Sequence, residues 1–174
     1  MLDNFGRKID YVRISVTDRC DLRCKYCMPE SNPNFYKKEE ILDINKLKLI
    51  SDSLIDLGIR KFRITGGEPL VRKDIVEYIE FLSKKLSKKV IDEILLTTNG
   101  TQLKKYSKTL SDLGVKRVNV SLDSLINEKF NFITNGGNIE SVFEGIESAK
   151  ENKLSVKINT VLLKNFNDDE LLEI

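Results

Sequence analysis

The sequence predicts an α/β fold in which parallel strands form a partial, open (β/α) barrel of about five strands. Three observations predict it. Short β-branched runs alternate with amphipathic helical patterns, the helical connections are long enough for crossovers, and each strand has one polar and one apolar face. An antiparallel sheet with one solvated face is the alternative, and the long connections argue against it. A length of 174 residues suits one domain or one piece of a larger one.

The predicted strands are short runs in which apolar and polar side chains alternate. They span residues 11–16, 61–65, 94–98, 117–122 and 155–163. In the first strand Val12 and Ile14 share one face, while Arg13 and Ser15 share the other. The apolar faces would pack against helices, and the polar faces would line a common concave surface. Because a closed eight-stranded barrel has an apolar interior, this pattern predicts an open barrel around a ligand cavity.

The charge of the predicted concave surface indicates what it would bind. Four strands each contribute one basic residue to it, namely Arg13, Arg63, Arg117 and Lys157. Guanidinium groups recognise phosphate oxygens through paired hydrogen bonds. The sequence therefore favours a phosphorylated substrate.

Helical patterns connect the strands. Apolar residues repeat at helical spacing over residues 47–57, 75–86, 103–113 and 142–149. Asp74, with Glu77 three residues later, resembles a capping box, and Asn138 is expected to cap the fourth helix. The residues from Asp169 onward predict the start of one more helix.

The bulk composition excludes several classes of protein. The 29 basic and 27 acidic residues are well mixed, which differs from the concentrated basic surface of a nucleic-acid binder. No apolar run approaches the roughly 20 residues of a membrane helix. Reduced cysteines and the lack of a targeting segment predict a cytoplasmic protein. The chain has no histidine, so its chemistry is expected to be carried by a cofactor rather than by a general base.

The three cysteines are the strongest chemical signal. Cys20, Cys24 and Cys27 are the only cysteines, have a C-x3-C-x2-C spacing, and directly follow the first strand, at the end where parallel sheets bind ligands. Iron–sulfur clusters normally take four protein ligands, so three thiolates would leave one iron open to react. The neighbouring Arg and Lys side chains are expected to favour the thiolate form.

The sequence disfavours three other interpretations of the cysteines. A disulfide framework is disfavoured because the number of cysteines is odd. A zinc site would need a carboxylate or water as its fourth ligand, because histidine is absent. Unrelated structural thiols are disfavoured because charged residues, unlike core residues, surround them.

The cysteine spacing, with Tyr26 just before Cys27, resembles the radical S-adenosylmethionine superfamily. The turn Gly66-Gly67-Glu68-Pro69 after the second strand resembles it too. The resemblance implies the partial barrel of that superfamily, a 4Fe–4S cluster held by Cys20, Cys24 and Cys27, and S-adenosylmethionine bound at the open iron. The two glycines would let the backbone approach a ligand closely.

Further motifs resemble, more narrowly, the GTP 3′,8-cyclase family of molybdenum cofactor biosynthesis. They lie at residues 13–20, 26–30, 63–70, 97–100, 119–123 and 167–169. The resemblance implies that S-adenosylmethionine contacts Tyr26, Gly67 and Ser121, and that GTP faces Arg13, Arg63, Thr97 and Lys157. It implies an electron donor for the cluster and a 5′-deoxyadenosyl radical that takes the 3′ hydrogen of GTP. No residue is assigned as a protein acid or base.

The chain also departs from the cyclase pattern. That family has a further C-terminal portion with a second three-cysteine cluster, which this sequence lacks, so residues 1–174 are expected to be an incomplete radical S-adenosylmethionine core domain. The loop at residues 135–138 differs as well. An unpaired fifth strand would invite association into a homo-oligomer. The alternatives are another radical enzyme that acts on a peptide or small molecule, and a cluster-binding remnant without turnover.

Overall fold

The computed structural model describes residues 2–28 and 34–174, so Pro29 and Glu30 of the cyclase-like motif lie outside the described residues. Five parallel strands form one sheet in sequential order. They are β1 Tyr11–Ser15, β2 Lys61–Thr65, β3 Glu93–Thr98, β4 Val115–Ser121 and β5 Ser155–Asn159. The predicted open parallel sheet is confirmed, and within the described residues β1 and β5 each pair on one side only.

The fifth strand ends four residues earlier than the predicted boundary at residue 163. The chain leaves the sheet after Asn159 because its next polar groups bind elsewhere. Thr160 Oγ1 donates to Leu122 O at 2.8 Å, and Val161 N donates to Asp123 Oδ1 at 2.8 Å. The segment after β5 is therefore tied to the end of β4.

The helices are α1 Ile44–Asp56, α2 Ile75–Ser87, α3 Leu103–Asp112, α4 Asn127–Thr134 and α5 Ile139–Glu151. Asn138 caps α5 as predicted, since its side chain accepts a hydrogen bond from Glu140 N at 3.0 Å. The capping box predicted at Asp74 is wrong, because that carboxylate binds the Arg72 guanidinium instead. The helix predicted from Asp169 is a single 3₁₀ turn, Asp168–Glu170.

The hydrophobic core lies between the apolar face of the sheet and the helices. Its strand residues are fully or almost fully buried, among them Phe62, Ile64, Ile94, Leu96, Val118 and Val120. Burying one such side chain contributes about 1.5–3 kcal/mol. The opposite face is polar as predicted except at Leu95, which is buried between Arg63 and Arg117 in the strand register. Among the described residues no helix is long and apolar enough to cross a membrane.

Candidate functional site

The three cysteines lie on one loop at the carboxyl end of β1. Cys20 and Cys24 are half-buried, Cys27 is exposed, and all three are free thiols. Backbone N–H groups of this loop donate to the last turn of α4, from Arg23 to Thr134 at 3.1 Å and from Lys25 to Ile133 at 2.9 Å. Helix α4 was not predicted from the sequence, because eight residues are too few for a clear helical repeat.

Burial controls the protonation of the two inner thiols. Desolvation, followed by the charge of Asp123, raises the pKa of Cys24 to about 12, and desolvation also raises the pKa of Cys20. The prediction that basic neighbours favour thiolates is therefore wrong for the metal-free chain. A metal centre would have to displace these protons on binding.

The donor set fits an iron–sulfur cluster better than a single metal ion. In residues 2–28 and 34–174, no three Cys, Asp or Glu side chains converge closely enough to hold one ion. A cluster makes no such demand, because each cysteine binds a different iron. Three thiols on one short loop, in a chain without histidine, match a cluster with three protein ligands.

The Gly66-Gly67 turn packs directly against the cysteine loop. Gly67 N donates to Thr17 O and Glu68 N donates to Arg19 O, both at 2.7 Å. A Cβ atom on Gly66 would lie 2.7 Å from Thr17 O, and one on Gly67 would overlap the Arg19 carbonyl. The close approach that the structure shows is thus to the protein backbone, whereas the sequence predicted an approach to a ligand.

Glu68 joins the ends of β2 and β3 through a carboxylate with no solvent exposure. It accepts hydrogen bonds from Leu70 N at 3.0 Å, Thr98 Oγ1 at 2.9 Å and Asn99 N at 2.6 Å. Burial nevertheless raises the pKa of Glu68 to about 7, because desolvation outweighs these three donors. The carboxyl group fixes the two loops that face the cysteines.

The loop after β3 also holds the cysteine loop in place. Asn99 Nδ2 donates to Asp21 Oδ1 at 2.7 Å and lies 3.7 Å from Cys20 Sγ. Thr101 Oγ1 donates to Asp21 Oδ2 at 2.6 Å. The motif at residues 97–100 is visible in the sequence, but no local pattern indicates its contact with Asp21.

Tyr26 is anchored by a buried carboxylate at the end of β4. Its hydroxyl donates to Asp123 Oδ2 at 2.7 Å, and Asp123 is 3 % exposed. Burial, and then the hydrogen bond to Asp123, raise the pKa of Tyr26. Asn167 Nδ2 donates to Asp123 O at 2.6 Å, so one residue joins the cysteine loop to the segment after β5. No role of Asp123 or Asn167 was predicted from the sequence.

Glu170 fastens the C-terminal segment to the same end of the sheet. It is 3 % exposed and accepts hydrogen bonds from Ser124 Oγ at 2.8 Å and from Leu125 N at 2.7 Å. Lys129 Nζ lies 3.0 Å from its other carboxylate oxygen. Burial opposes ionisation, but these donors together lower the pKa of Glu170. A spacing of more than 40 residues along the chain hides this cluster from sequence patterns.

The four residues predicted to face GTP lie on the polar face of the sheet. Arg13 and Arg63 are register partners in β1 and β2, and Arg63 Nη1 donates to Thr97 Oγ1 at 3.4 Å. Arg63 is buried and also donates to the Tyr11 hydroxyl at 2.5 Å. Arg13 and Lys157 are exposed on the two outer strands. The structure thus brings Arg63 and Thr97 into contact and leaves the other two further apart.

The three residues predicted to contact S-adenosylmethionine all lie at the carboxyl end of the sheet. Tyr26 is on the cysteine loop, Gly67 follows β2, and Ser121 ends β4 opposite Asn159 of β5. Tyr26 is 44 % exposed although its hydroxyl is bound. These positions all lie at the end of the sheet that carries the cysteine loop.

A cavity of about 420 Å³ lies beside the cysteine loop but away from the polar strand face. Its walls are residues of the loop after β1, of the segment before α1 and of the turn after β2, including Arg19, Lys38, Asp43, Arg72 and Asp74. None of the residues predicted to bind GTP lines this cavity. We therefore place the candidate site on the open polar face.

Comparison with known sequences gives a consistent result. The model of the Radical SAM superfamily matches residues 14–174. The chain is 52% identical over 171 residues to a GTP 3′,8-cyclase of Bradyrhizobium diazoefficiens, which covers 98% of this chain and 49% of that protein. It is 49% identical over 174 residues to a GTP 3′,8-cyclase of Brucella abortus, a match that covers 100% of this chain and 50% of that protein. The chain therefore spans about half the length of these relatives.

Solved structures share the fold at low sequence identity. A structure described as histidine-tagged anSMEcpe with bound AdoMet matches 92% of this chain and 44% of its own, with a TM-score of 0.73 and 23% identity. Streptococcus suis SuiB bound to S-adenosylmethionine matches 94% of this chain and 37% of its own, with a TM-score of 0.74 and 20% identity. These likenesses show that the five-stranded sheet has the fold of those proteins.

Proposed function

This chain belongs to the radical SAM superfamily, and on that premise we propose that it forms the cluster-binding part of a GTP 3′,8-cyclase. The proposal rests on sequence identities of 52% and 49%, over 98% and 100% of this chain, with relatives named for this activity. Residues 1–174 would form a radical SAM core domain. The cysteine loop lies at the carboxyl end of the sheet whose polar face carries the basic residues.

Cys20, Cys24 and Cys27 would hold a 4Fe–4S cluster, and Tyr26, Gly67 and Ser121 would contact S-adenosylmethionine. When bound, this pair supplies a 5′-deoxyadenosyl radical. Hydrogen bonds connect the cysteine loop to three elements, namely α4, the Gly66-Gly67 turn and the loop after β3. Binding, orientation and exclusion of competing reactions are the tasks of the protein in cofactor enzymes.

The polar face would bind GTP through Arg13, Arg63, Thr97 and Lys157. Arg63 is held by Tyr11 and Thr97, so little conformational freedom is lost when it binds a phosphate. Arg13 and Lys157 are exposed and can close on the ligand from both sides. The product would be (8S)-3′,8-cyclo-7,8-dihydroguanosine 5′-triphosphate. A cytoplasmic location and an electron donor for the cluster belong to the same proposal.

Anaerobic reconstitution with iron and sulfide, followed by electron paramagnetic resonance, tests the cofactor step. The spectrum of the reduced cluster should change when S-adenosylmethionine is added, and an unchanged spectrum would refute the open iron. Cys27→Ser should lose the cluster while keeping the thermal melting temperature within a few degrees, because Cys27 is exposed.

The substrate step needs a separate measurement. Formation of 5′-deoxyadenosine should increase when GTP is present, and ATP at the same concentration serves as the matched nucleotide. GTP-independent formation would contradict the cyclase proposal and leave a radical enzyme that acts on another substrate. Absence of 5′-deoxyadenosine from a chain that binds both cofactors would favour the remnant without turnover.

A further inference from the structure

Asn119 has a free hydrogen-bonding atom on the polar face of the sheet. It lies in the middle of β4, between its register partners Thr97 and Lys157. Its neighbours Val118 and Val120 are fully buried in the core, so its side chain points to the polar face. Asn119 is only 8 % exposed, and its Oδ1 is buried without a partner among the described residues.

The other half of the same carboxamide is already engaged. Asn119 Nδ2 donates to Asn159 Oδ1 at 3.3 Å. Exchanging the oxygen and nitrogen of the amide would only move the deficit to the NH₂ group, so one polar group lacks a partner in either orientation. A buried polar group without a partner is costly and rare in folded proteins. This makes Asn119 a strong candidate to bind a ligand.

Register partners on the polar face form rows across the sheet, called levels here. Three of these levels, at successive positions along the strands, indicate which part of a ligand reaches Asn119. Of these three, the level of Arg13, Arg63 and Arg117 lies farthest from the cysteine loop. Arg117 Nε is also buried without a partner in the described part of the chain, so this level has a spare donor for an anion. Ser121 forms the level nearest the cysteine loop. Asn119 lies between, about 6–7 Å from each level along the strand.

We propose that Asn119 accepts a hydrogen bond from a sugar hydroxyl of the nucleotide substrate, which rests on the proposed function. The phosphates would lie at the arginine level, and the cofactor would lie at the level of Ser121. The reacting sugar lies between the phosphates and the cofactor and therefore passes Asn119. Its hydroxyl groups are the donors that an unpaired carbonyl oxygen requires.

Binding of deoxynucleotides to the reconstituted chain tests this proposal. Equilibrium dialysis gives the dissociation constants of GTP, 2′-deoxy-GTP and 3′-deoxy-GTP. One of the deoxy analogues should bind roughly 3–10-fold more weakly than GTP to the wild type, the range expected for one hydrogen bond. In Asn119→Ala the dissociation constant of that deoxy analogue, divided by the dissociation constant of GTP, should fall to about 1.

Two further variants separate contact from structural damage. Asn119→Asp keeps an acceptor oxygen, so it should keep the preference for GTP over the deoxy analogue. All three nucleotides should bind more weakly, because the new carboxylate repels their phosphates. Asn159→Ala removes the partner of Nδ2 but leaves Oδ1, so it should also keep the preference. Loss of the preference in Asn159→Ala but not in Asn119→Ala would overturn the proposal. Circular dichroism melts of each variant check folding.

Different binding results refute the Asn119 contact and the proposed GTP substrate. If the wild type binds GTP and both deoxy analogues equally, the role of Asn119 is refuted while GTP binding stands. If the wild type binds no GTP, both the proposed substrate and the contact are refuted. Equal weakening of all three nucleotides by Asn119→Ala would also refute a hydroxyl contact.

Discussion

Replacing Glu68 with Gln should change how the stability of the metal-free chain depends on pH. Glu68 is fully buried, and burial raises its pKa to about 7 in the folded chain from 4.5. Between these values the folded state holds a proton that the unfolded state releases. Raising the pH through this window therefore destabilises the wild type, because the unfolded state gives up its proton first.

The size of the effect follows from the two pKa values. Their difference corresponds to about 3 kcal/mol of stability, fully present below pH 4.5 and lost as the pH rises through about 7. Between pH 5 and 8 the expected loss is about 2.5 kcal/mol. The Gln side chain does not titrate, so its imperfect hydrogen bonds to Leu70, Thr98 and Asn99 reduce stability equally at every pH.

Urea denaturation of both proteins at pH 5, 6, 7 and 8 measures the effect. The wild type should lose about 2.5 kcal/mol relative to Glu68→Gln across this range. The same substitution at the exposed Glu147 controls for the removal of one negative charge. A constant difference, or one that grows in favour of the wild type with pH, would refute the reasoning. It would mean that the three donors outweigh burial and keep Glu68 ionised.

Three other predictions use the same denaturation assay. Gly67→Ala should lose about 1–3 kcal/mol because its Cβ would overlap the Arg19 carbonyl, and an unchanged midpoint would contradict the close packing. Tyr26→Phe should lose about 1–2 kcal/mol by removing a donor from buried Asp123, whereas no loss would show that water replaces the hydroxyl. Glu170→Gln should be less stable than wild type by about 1.5–3 kcal/mol at pH 7. Because the folded pKa of Glu170 is lowered, that deficit should shrink as the pH falls below 4.5, and a growing deficit would exclude a stabilising carboxylate.

The arrangement of the strands and the place of the cysteines followed from the sequence alone. Alternation of side chains within each strand is a local property, so it identified the polar face that carries Arg63, Thr97 and Lys157. Parallel strands place all their carboxyl ends at one edge, and this put the cysteine loop and the Gly66-Gly67 turn together. Leu95 was the exception, because the run Ile94-Leu95-Leu96 is apolar throughout and its pattern does not assign Leu95 to one face.

Only the tertiary structure decided which polar groups meet at that edge and how burial changes them. Glu68 is hydrogen-bonded to Asn99 across 31 residues of chain, and Tyr26 to Asp123 across 97 residues. Ser124 is hydrogen-bonded to Glu170 across 46 residues. No local pattern links such distant positions. The same holds for the thiol of Cys24, whose charged neighbours in sequence predicted a thiolate and whose surroundings in space favour the protonated form. Burial depends on every element packed around a group, and the sequence near that group carries too little of this information.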